Sequence, residues 1–252
     1  MRSLLALVRK ELLYLRAYPL DLLNLAVSPG LLVAPYLLVA RMFGVDPDFE
    51  SSVAVGLILW YWLSQLFWWV GHGIAEEMEE GVLESLLVTP APLVTILGAK
   101  AIAGTLTSAY ITAGIIGWFF AFGLSIPVPW PAFVGIMFLT GLGLTGFCTA
   151  YAGVVLLVKQ AESIGSGMQT ALGVLAGMTV PPQVFPRAVW VISRAIPLTY
   201  GIEAARRLLR RDEIRGEVTW LVVTGIAFAL LGWALLKRAE RRMKAAGTTG
   251  EF

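Results

Sequence analysis

Charged side chains are scarce in this sequence. Asp, Glu, Lys and Arg make up 14% of its 252 residues, whereas soluble domains carry about 25%. Apolar residues make up 58%, and the mean hydropathy is +0.77. This composition excludes an ordinary soluble domain and predicts a polytopic membrane protein. The net charge of +2 gives no broad basic surface, so we expect no nucleic-acid partner.

Cysteine and histidine occur once each, as Cys148 and His72. A single cysteine excludes a disulfide framework and a thiolate metal site. A single histidine leaves zinc without a second ligand at a suitable spacing. His72 is therefore predicted to be an interfacial residue. The alternative is a role in transmission beside Glu76. We expect no metal, no catalytic residue and no cofactor in this chain, and hence no enzyme activity of its own.

Ionisable residues are also missing from the long apolar runs. None occurs between Glu50 and His72, or between Lys100 and Lys159. Carriers driven by protons or sodium keep carboxylates or histidines within the membrane, because those groups bind the coupling ion. The phosphate-binding pattern G-x-x-x-x-G-K-[ST] is absent as well. If this chain moves a solute, a separate polypeptide must supply the energy by hydrolysing nucleotide.

Six apolar stretches meet or approach the length of about 20 residues that crosses a bilayer. Backbone hydrogen bonds within a bilayer must be satisfied internally, and these stretches lack the alternating polarity of barrel strands. The sequence therefore predicts an all-α polytopic fold that forms a single transmembrane domain over 1–252. The predicted spans are 22–43, 53–73, 93–124, 132–158, 164–180 and 218–236.

The first 18 residues have the pattern of an amphipathic helix. Leu5, Val8, Leu12 and Leu15 recur at spacings of three and four, and arginines follow every seven residues on another face. We predict an interfacial helix over 1–18 at the cytoplasmic surface of the membrane. The alternative is an N-terminal extension of the first span.

Basic residues gather at both ends of the chain, and Lys and Arg favour the cytoplasmic side of a membrane. We therefore predict a protein of the cell membrane with both termini in the cytoplasm, which requires an even number of spans. The segment 187–217 disagrees with this rule, because its seven arginines and four acids leave a net charge of +3 on the predicted outer side. Long loops weaken the rule, and a cytoplasmic position of this segment is the alternative.

Aromatic side chains crowd the second predicted span. Trp60, Trp62, Phe67 and Trp68 belong to a run that would occupy nearly half the depth of the membrane. These rings either pack toward lipid, or line a pathway for an amphipathic substrate through stacking and cation–π contact.

An acidic insert separates the second and third predicted spans. It opens with four carboxylates in 76–80 and continues as an amphipathic stretch to Val88, before Pro90 and Pro92 stop it. A short amphipathic helix beside a span lies along a surface or docks into a partner's groove. A solvated loop between spans is the alternative.

Residues 79–90 read E-E-G-V-L-E-S-L-L-V-T-P, and L-G-A-K follows at 97–100. This insert resembles the signature of ABC-2 type transporter permeases, E-(K/R)-E-x-G-T-L-E-x-L-L-x-(T/S)-P followed by L-G-K. The resemblance implies that 76–92 is a cytoplasmic coupling helix seated in a cleft of a separate ATPase subunit. The residues implied to contact the ATPase are Glu79, Glu80, Gly81, Leu83, Glu84, Leu86 and Leu87, with Lys159, Gln160 and Glu162 as a second cytoplasmic contact.

A second element of the same family is similar to residues 197–206, which read P-L-T-Y-G-I-E-A-A-R. The family pattern is (N)-P-L-T-Y-x-x-E-x-x-R, and it follows short re-entrant helices on the extracellular side, just before the last span. The resemblance therefore implies an extracellular re-entrant segment over 181–217.

The resemblance implies the membrane-spanning permease subunit of an ATP-driven ABC exporter. Its partners would be an ABC ATPase subunit that binds ATP and Mg, a second permease copy, and membrane lipids, with a homodimer favoured over a heterodimer. The expected cargo is amphipathic, lipid-like or a glycan. The alternative function is a stand-alone channel or membrane scaffold that binds a non-ATPase partner through 76–100.

Overall fold

The computed structural model describes residues 2–42, 47–82, 92–123, 127–158 and 162–246. Regular structure in these ranges is helical throughout, so the predicted all-α fold is confirmed. The first half contains α1 (Arg2–Ala17), α2 (Pro19–Met42), α3 (Pro47–Leu66), a π-helical segment (Phe67–His72) and α4 (Gly73–Glu79). The second half contains α5 (Leu93–Ala121), α6 (Trp130–Val158), α7 (Glu162–Leu175), a 3-10 turn (Pro182–Val184), α8 (Arg187–Ser193), α9 (Pro197–Leu209) and α10 (Arg215–Ala246).

Four helices in the described ranges are long and apolar enough to cross a membrane. One is a continuous rod (Glu50–Glu79) made of α3, the π-helical segment and α4, and the others are α5, α6 and most of α10. They correspond to the predicted spans 53–73, 93–124, 132–158 and 218–236.

The two remaining predicted spans, 22–43 and 164–180, coincide with α2 and α7. α2 has 24 residues, which is enough length for a crossing. α7 has 14 residues and is too short to cross a bilayer alone. The described part of the chain therefore supports four spans, and the total of six stays a prediction.

The central rod is the most deeply packed element of the bundle. It contacts α5, α6 and α9, and Leu59, Leu63 and Leu66 are fully buried along it. α10 lies at the periphery instead, with apolar side chains such as Ile226 and Leu230 facing outward. An apolar outer face suits a helix that contacts acyl chains rather than water.

α6 and α10 pack along each other through small residues. A Cβ atom added to Gly146 would lie 2.8 Å from the backbone nitrogen of Ala229, and one added to Gly225 would lie 2.9 Å from Cα of Gly143. Close backbone approach favours helix association in lipid, where the hydrophobic effect between helices is small. These glycines therefore serve packing within one subunit.

Seven hydroxyl side chains of α5 and α6 are satisfied within their own helices. Each donates to the carbonyl oxygen four residues earlier, with oxygen–oxygen distances between 2.7 and 2.9 Å. These polar groups therefore need no charged partner in the apolar interior. The residues are Thr105, Thr107, Ser108, Thr112, Thr140, Thr145 and Thr149.

Gly146→Ala is expected to destabilise the protein by about 1–3 kcal/mol, because the added methyl group meets the backbone of α10. Gly135→Ala on the same helix is the matched control, since nothing lies within 4 Å of its Cβ position. Thermal unfolding of the purified protein in detergent measures both variants. Equal unfolding midpoints would contradict the close α6–α10 contact.

Candidate functional site

The central rod changes its hydrogen bonding just before the acidic residues. Over Phe67–His72 it is π-helical, and the N–H of Gly73 donates to the carbonyl oxygen of Trp68, five residues earlier. Single π turns of this kind interrupt α-helices rarely and frequently lie at functional sites. The wide turn sets the direction in which the side chains of α4 point.

α4 ends in a defined turn at Gly81. The N–H of Glu80 donates to the carbonyl oxygen of Glu76 at 2.9 Å, and Gly81 follows with a φ of +70°. This left-handed backbone conformation favours glycine at the ends of helices. Glu79 and Glu80 are exposed at the turn, whereas Glu77 is buried.

Four charged side chains from three helices meet beside this turn. Glu77 of α4 accepts a hydrogen bond from Lys10 of α1 at 3.0 Å, and its Oε1 lies 3.1 Å from Nζ of Lys100 of α5. Glu11 of α1 lies 3.6 Å from Lys10 and 3.8 Å from Lys100. These four residues are termed the charged junction.

Three members of the charged junction are buried. Side-chain exposure is 7% for Lys100, 9% for Glu77 and 10% for Glu11, against 51% for Lys10. Burial alone would lower the pKa of Lys10, but the hydrogen bond and charge of Glu77, together with Glu11, raise it overall. Because an unpaired buried charge is costly, each buried member depends on the others.

A cavity of about 550 Å³ opens beside the charged junction. We name it the junction cavity. The cavity is also lined by Glu77, whose Oε2 is buried and has no hydrogen-bond partner among the described residues. Its walls include three aromatic rings of the rod and two exposed carboxylates, namely Trp68, Trp69, His72, Glu76 and Glu80.

Comparison with known families identifies the bundle that carries this junction. Residues 32–234 match the family described as "ABC-2 family transporter protein". The chain belongs to this ABC-2 family. It is therefore the membrane domain of an ABC transporter permease, and membership implies association with an ABC ATPase subunit. Comparison with curated proteins gave no match.

The residues predicted to contact the ATPase lie partly within the described chain of the permease. Glu79, Glu80 and Gly81 are exposed at the end of α4, next to the charged junction, and Glu162 begins α7. Their contact with an ATPase stays a prediction. The other predicted contacts, which lie outside the described residues, are Leu83, Glu84, Leu86, Leu87, Lys159 and Gln160.

The four aromatic residues predicted as pathway lining take different positions in the permease. Trp62 is buried and donates from Nε1 to a hydroxyl of α5 at 2.9 Å. Phe67 is buried and stacks on Tyr151, with 4.1 Å between ring centres. Trp60 is half-buried and lies edge-on to its neighbour, while Trp68 opens onto the junction cavity. Packing within the subunit therefore accounts for Trp62 and Phe67, and a pathway role for the four stays a prediction.

A second group of polar contacts fixes α9, the helix of the P-L-T-Y motif. Glu203 accepts hydrogen bonds from Arg194 and Gln183, both at 2.8 Å. Arg206 donates to one backbone carbonyl of α3 at 3.3 Å and to one after α7 at 3.2 Å. The E-x-x-R spacing puts both buried side chains about one helical turn apart, which fastens α8 and α9 to the bundle. The re-entrant course of 181–217 stays a prediction.

The charged junction could not be predicted from the sequence because its members come from three distant segments. Glu77 is one of four neighbouring acids, and no local pattern marks it as the one that turns inward. Lys100 ends the L-G-A-K element, at the edge of a long neutral run. A lysine in that position needs a carboxylate partner if it is buried, so Lys100 is the residue in the sequence that indicates a buried ion pair.

Lys100→Met is expected to destabilise the permease by about 3–5 kcal/mol, because it leaves the buried carboxylates of Glu77 and Glu11 short of a positive partner. Lys237→Met is the matched control. Lys237 is exposed and lies 3.8 Å over the ring centre of Trp233, a contact worth about 0.5–1 kcal/mol. Thermal unfolding of both purified variants in detergent gives the comparison.

The double variant Glu77→Gln/Lys100→Met tests whether charge is the cause of this loss. Removing both partners of a buried ion pair costs less than removing one, so the double variant is expected to unfold at a higher temperature than Lys100→Met alone. A Lys100→Met midpoint that matches the Lys237→Met midpoint would refute the structural role of the charged junction.

Proposed function

We propose that this permease exports an amphipathic, lipid-like or glycan cargo from the cytoplasm, driven by ATP hydrolysis in a separate ABC ATPase subunit. Two copies form the pathway at their interface, and a homodimer is favoured over a heterodimer. ATP and Mg bind to the ATPase, so the permease itself carries no enzyme activity. Both termini and the turn at Gly81 face the cytoplasm, as the basic ends of the chain suggest.

The charged junction is the observation that carries this proposal. It ties α4, whose last residues (76–79) begin the proposed coupling segment over 76–92, to both α1 and α5. A push of the ATPase on Glu79 and Glu80 would therefore reach two further helices at once, through buried charges that separate only at high cost. Rigid-body motion biased by nucleotide is a recognised way to switch such bundles.

The neutral interior of the permease supports the choice of cargo. Hydroxyl groups in α5 and α6 are bonded to their own helix backbones, so they offer few free polar groups to a strongly charged solute. An amphipathic or lipid-like molecule loses little on entering such surroundings. The apolar outward face of α10 gives the same molecule direct contact with the bilayer.

Gly81→Trp and Glu84→Arg are expected to uncouple ATP hydrolysis from transport while the permease stays folded. No described atom lies within 4 Å of a Cβ placed on Gly81, so the tryptophan is expected to project from the turn and obstruct a docked ATPase, although the φ of +70° adds local backbone strain. We expect transport per ATP hydrolysed to fall about 5–150-fold, the usual range of coupling between two sites. Proteoliposomes containing permease and ATPase allow both rates to be measured.

Gly81→Asn is the matched control for this experiment, because asparagine tolerates a positive φ and adds little bulk. It should retain coupling. Normal coupling in both Gly81→Trp and Glu84→Arg would reject the docking role. Replacing 79–90 with a Gly/Ser linker, which leaves Glu77 and its ion pairs in place, should abolish co-purification of the ATPase, and loss of a partner without nucleotide hydrolysis would instead favour the stand-alone channel or scaffold.

Thiol labelling is expected to place the turn at Glu80 in the cytoplasm and the turn after α9 outside. Cys148 is the only cysteine in the sequence and is buried, so a Cys148→Ala chain provides an unlabelled background. In sealed right-side-out vesicles, an impermeant maleimide should react with Asp212→Cys at once and with Glu80→Cys only after lysis. Both positions are exposed. Labelling of Asp212→Cys only after lysis would move 187–217 to the cytoplasm.

A further inference from the structure

A cleft between α6, α7 and α10 lies near the C-terminal ends of α6 and α10. Its volume is about 330 Å³, which falls within the range of about 300–1,000 Å³ that holds organic ligands. Its described lining holds no charged side chain and includes Phe147, Val154 and Val158 of α6, Met168 of α7, and Leu231 and Leu235 of α10. We name it the apolar cleft. We propose that one anionic phospholipid binds here, with an acyl chain in the cleft and its phosphate group against Arg238 and Arg242.

The packing of α6 against α10 leaves the apolar cleft open on its outer side. A Cβ atom added to Gly146 would lie 2.8 Å from the backbone nitrogen of Ala229, and one added to Gly153 would lie 2.7 Å from Cβ of Leu235. The two helices therefore run in the same direction, and their C-terminal ends reach the same side of the bundle. Three side chains of the cleft wall remain between 44% and 53% exposed, namely Val154, Val158 and Leu231. Because α6 and α10 are both long enough to span the membrane, these side chains face the acyl chains of the bilayer.

Two arginines continue the face of α10 that lines the apolar cleft. Arg238 follows Leu231 by seven residues, and Arg242 follows Leu235 by the same interval. Seven residues make just under two turns of an α-helix, so each arginine lies on the same face as its leucine and about 10 Å farther along the axis. Both arginines are exposed, and neither forms a salt bridge with a described carboxylate. Arginine holds a phosphate group through two N–H groups at once, and basic pockets beside membrane helices bind anionic headgroups.

The arginines and the apolar walls together identify the occupant. A neutral lipid would fill the cleft but would leave both arginines without an anion, and a soluble acidic protein could not enter the apolar part of the bundle. A second copy related by a two-fold axis through this face would bring two sets of arginines together, because such an interface uses the same surface on both subunits. Since the bilayer is as apolar as the cleft, the headgroup decides which lipid binds. The site requires only that α10 spans the membrane, so it is independent of the exporter proposal.

Native mass spectrometry of the purified full chain in detergent tests the proposal, with dioleoylphosphatidylglycerol and dioleoylphosphatidylcholine as probes. The two lipids carry the same acyl chains, but only the first has a net negative charge. We expect phosphatidylglycerol to bind at least about tenfold more tightly than phosphatidylcholine, since one basic side chain near an anionic headgroup is worth about fivefold in affinity. Arg238→Gln/Arg242→Gln should remove most of this difference. Leu231→Trp, which adds bulk to the cleft wall, should weaken phosphatidylglycerol binding about fivefold or more.

Two matched controls separate a site from general attraction to a basic surface. Lys237→Gln/Arg241→Gln removes the same charge from the same turns of α10, about 100° around the axis from each arginine of the site. Leu230→Trp adds the same bulk outside the described lining of the cleft. Both should leave phosphatidylglycerol binding close to the wild-type value. Every substituted position is exposed, so the variants should fold.

Equal affinity of the wild type for the two lipids would overturn the proposal. Equal losses in the two charge-removal variants would overturn it as well, because they would show diffuse attraction instead of a site. Equal binding by Leu231→Trp and Leu230→Trp would show that no acyl chain enters the cleft. A dimer without bound lipid in the same spectra would assign this face to a second copy of the chain instead.

Discussion

The carboxylate of Glu77 holds three helices together at one end of the bundle. It accepts charge-assisted contacts from Lys10 and Lys100, and these bring α1 and α5 to α4. A buried charge is stable only beside an opposite charge, because an isolated buried charge would lose its hydration without compensation. The same carboxylate forms part of the wall of the junction cavity, so it links the packing of α1 and α5 to the end of α4.

The rest of the bundle is held by contacts of another kind. α6 and α10 meet through glycines that leave no room for a side chain, and hydroxyl groups bond to their own helices. α9 is fastened by Glu203 and Arg206, whose partners include backbone carbonyls. Among the described residues, ion pairs lie at the charged junction and around α9 and the start of α10, where Arg207 pairs with Glu217 at 3.0 Å. The apolar stretches of α5, α6 and α10 between these two regions can tilt without separating a charge pair of their own. This division suits a body that transmits motion across a membrane.

Helix identity could be predicted from the sequence because it depends on local properties. Runs of apolar residues predicted α5, α6, α10 and the rod, whereas the left-handed turn at Gly81 lies inside the stretch predicted as one coupling helix. Tertiary contacts could not be predicted in the same way. Which glutamate turns inward depends on the π turn before it, and burial of Trp62 but not of Trp68 depends on where neighbouring helices lie.

The π-helical segment Phe67–His72 changes the rotation of the rod about its axis between α3 and α4. Each residue of an α-helix advances by about 100° around the axis, and the π turn absorbs the angle of roughly one residue. If the rod relaxed to uniform α-geometry, α4 would rotate by about that amount and carry Glu77 away from Lys100. Conversion of the π-helical segment to α-helix would therefore rotate α4 and break its ion pairs in the same step.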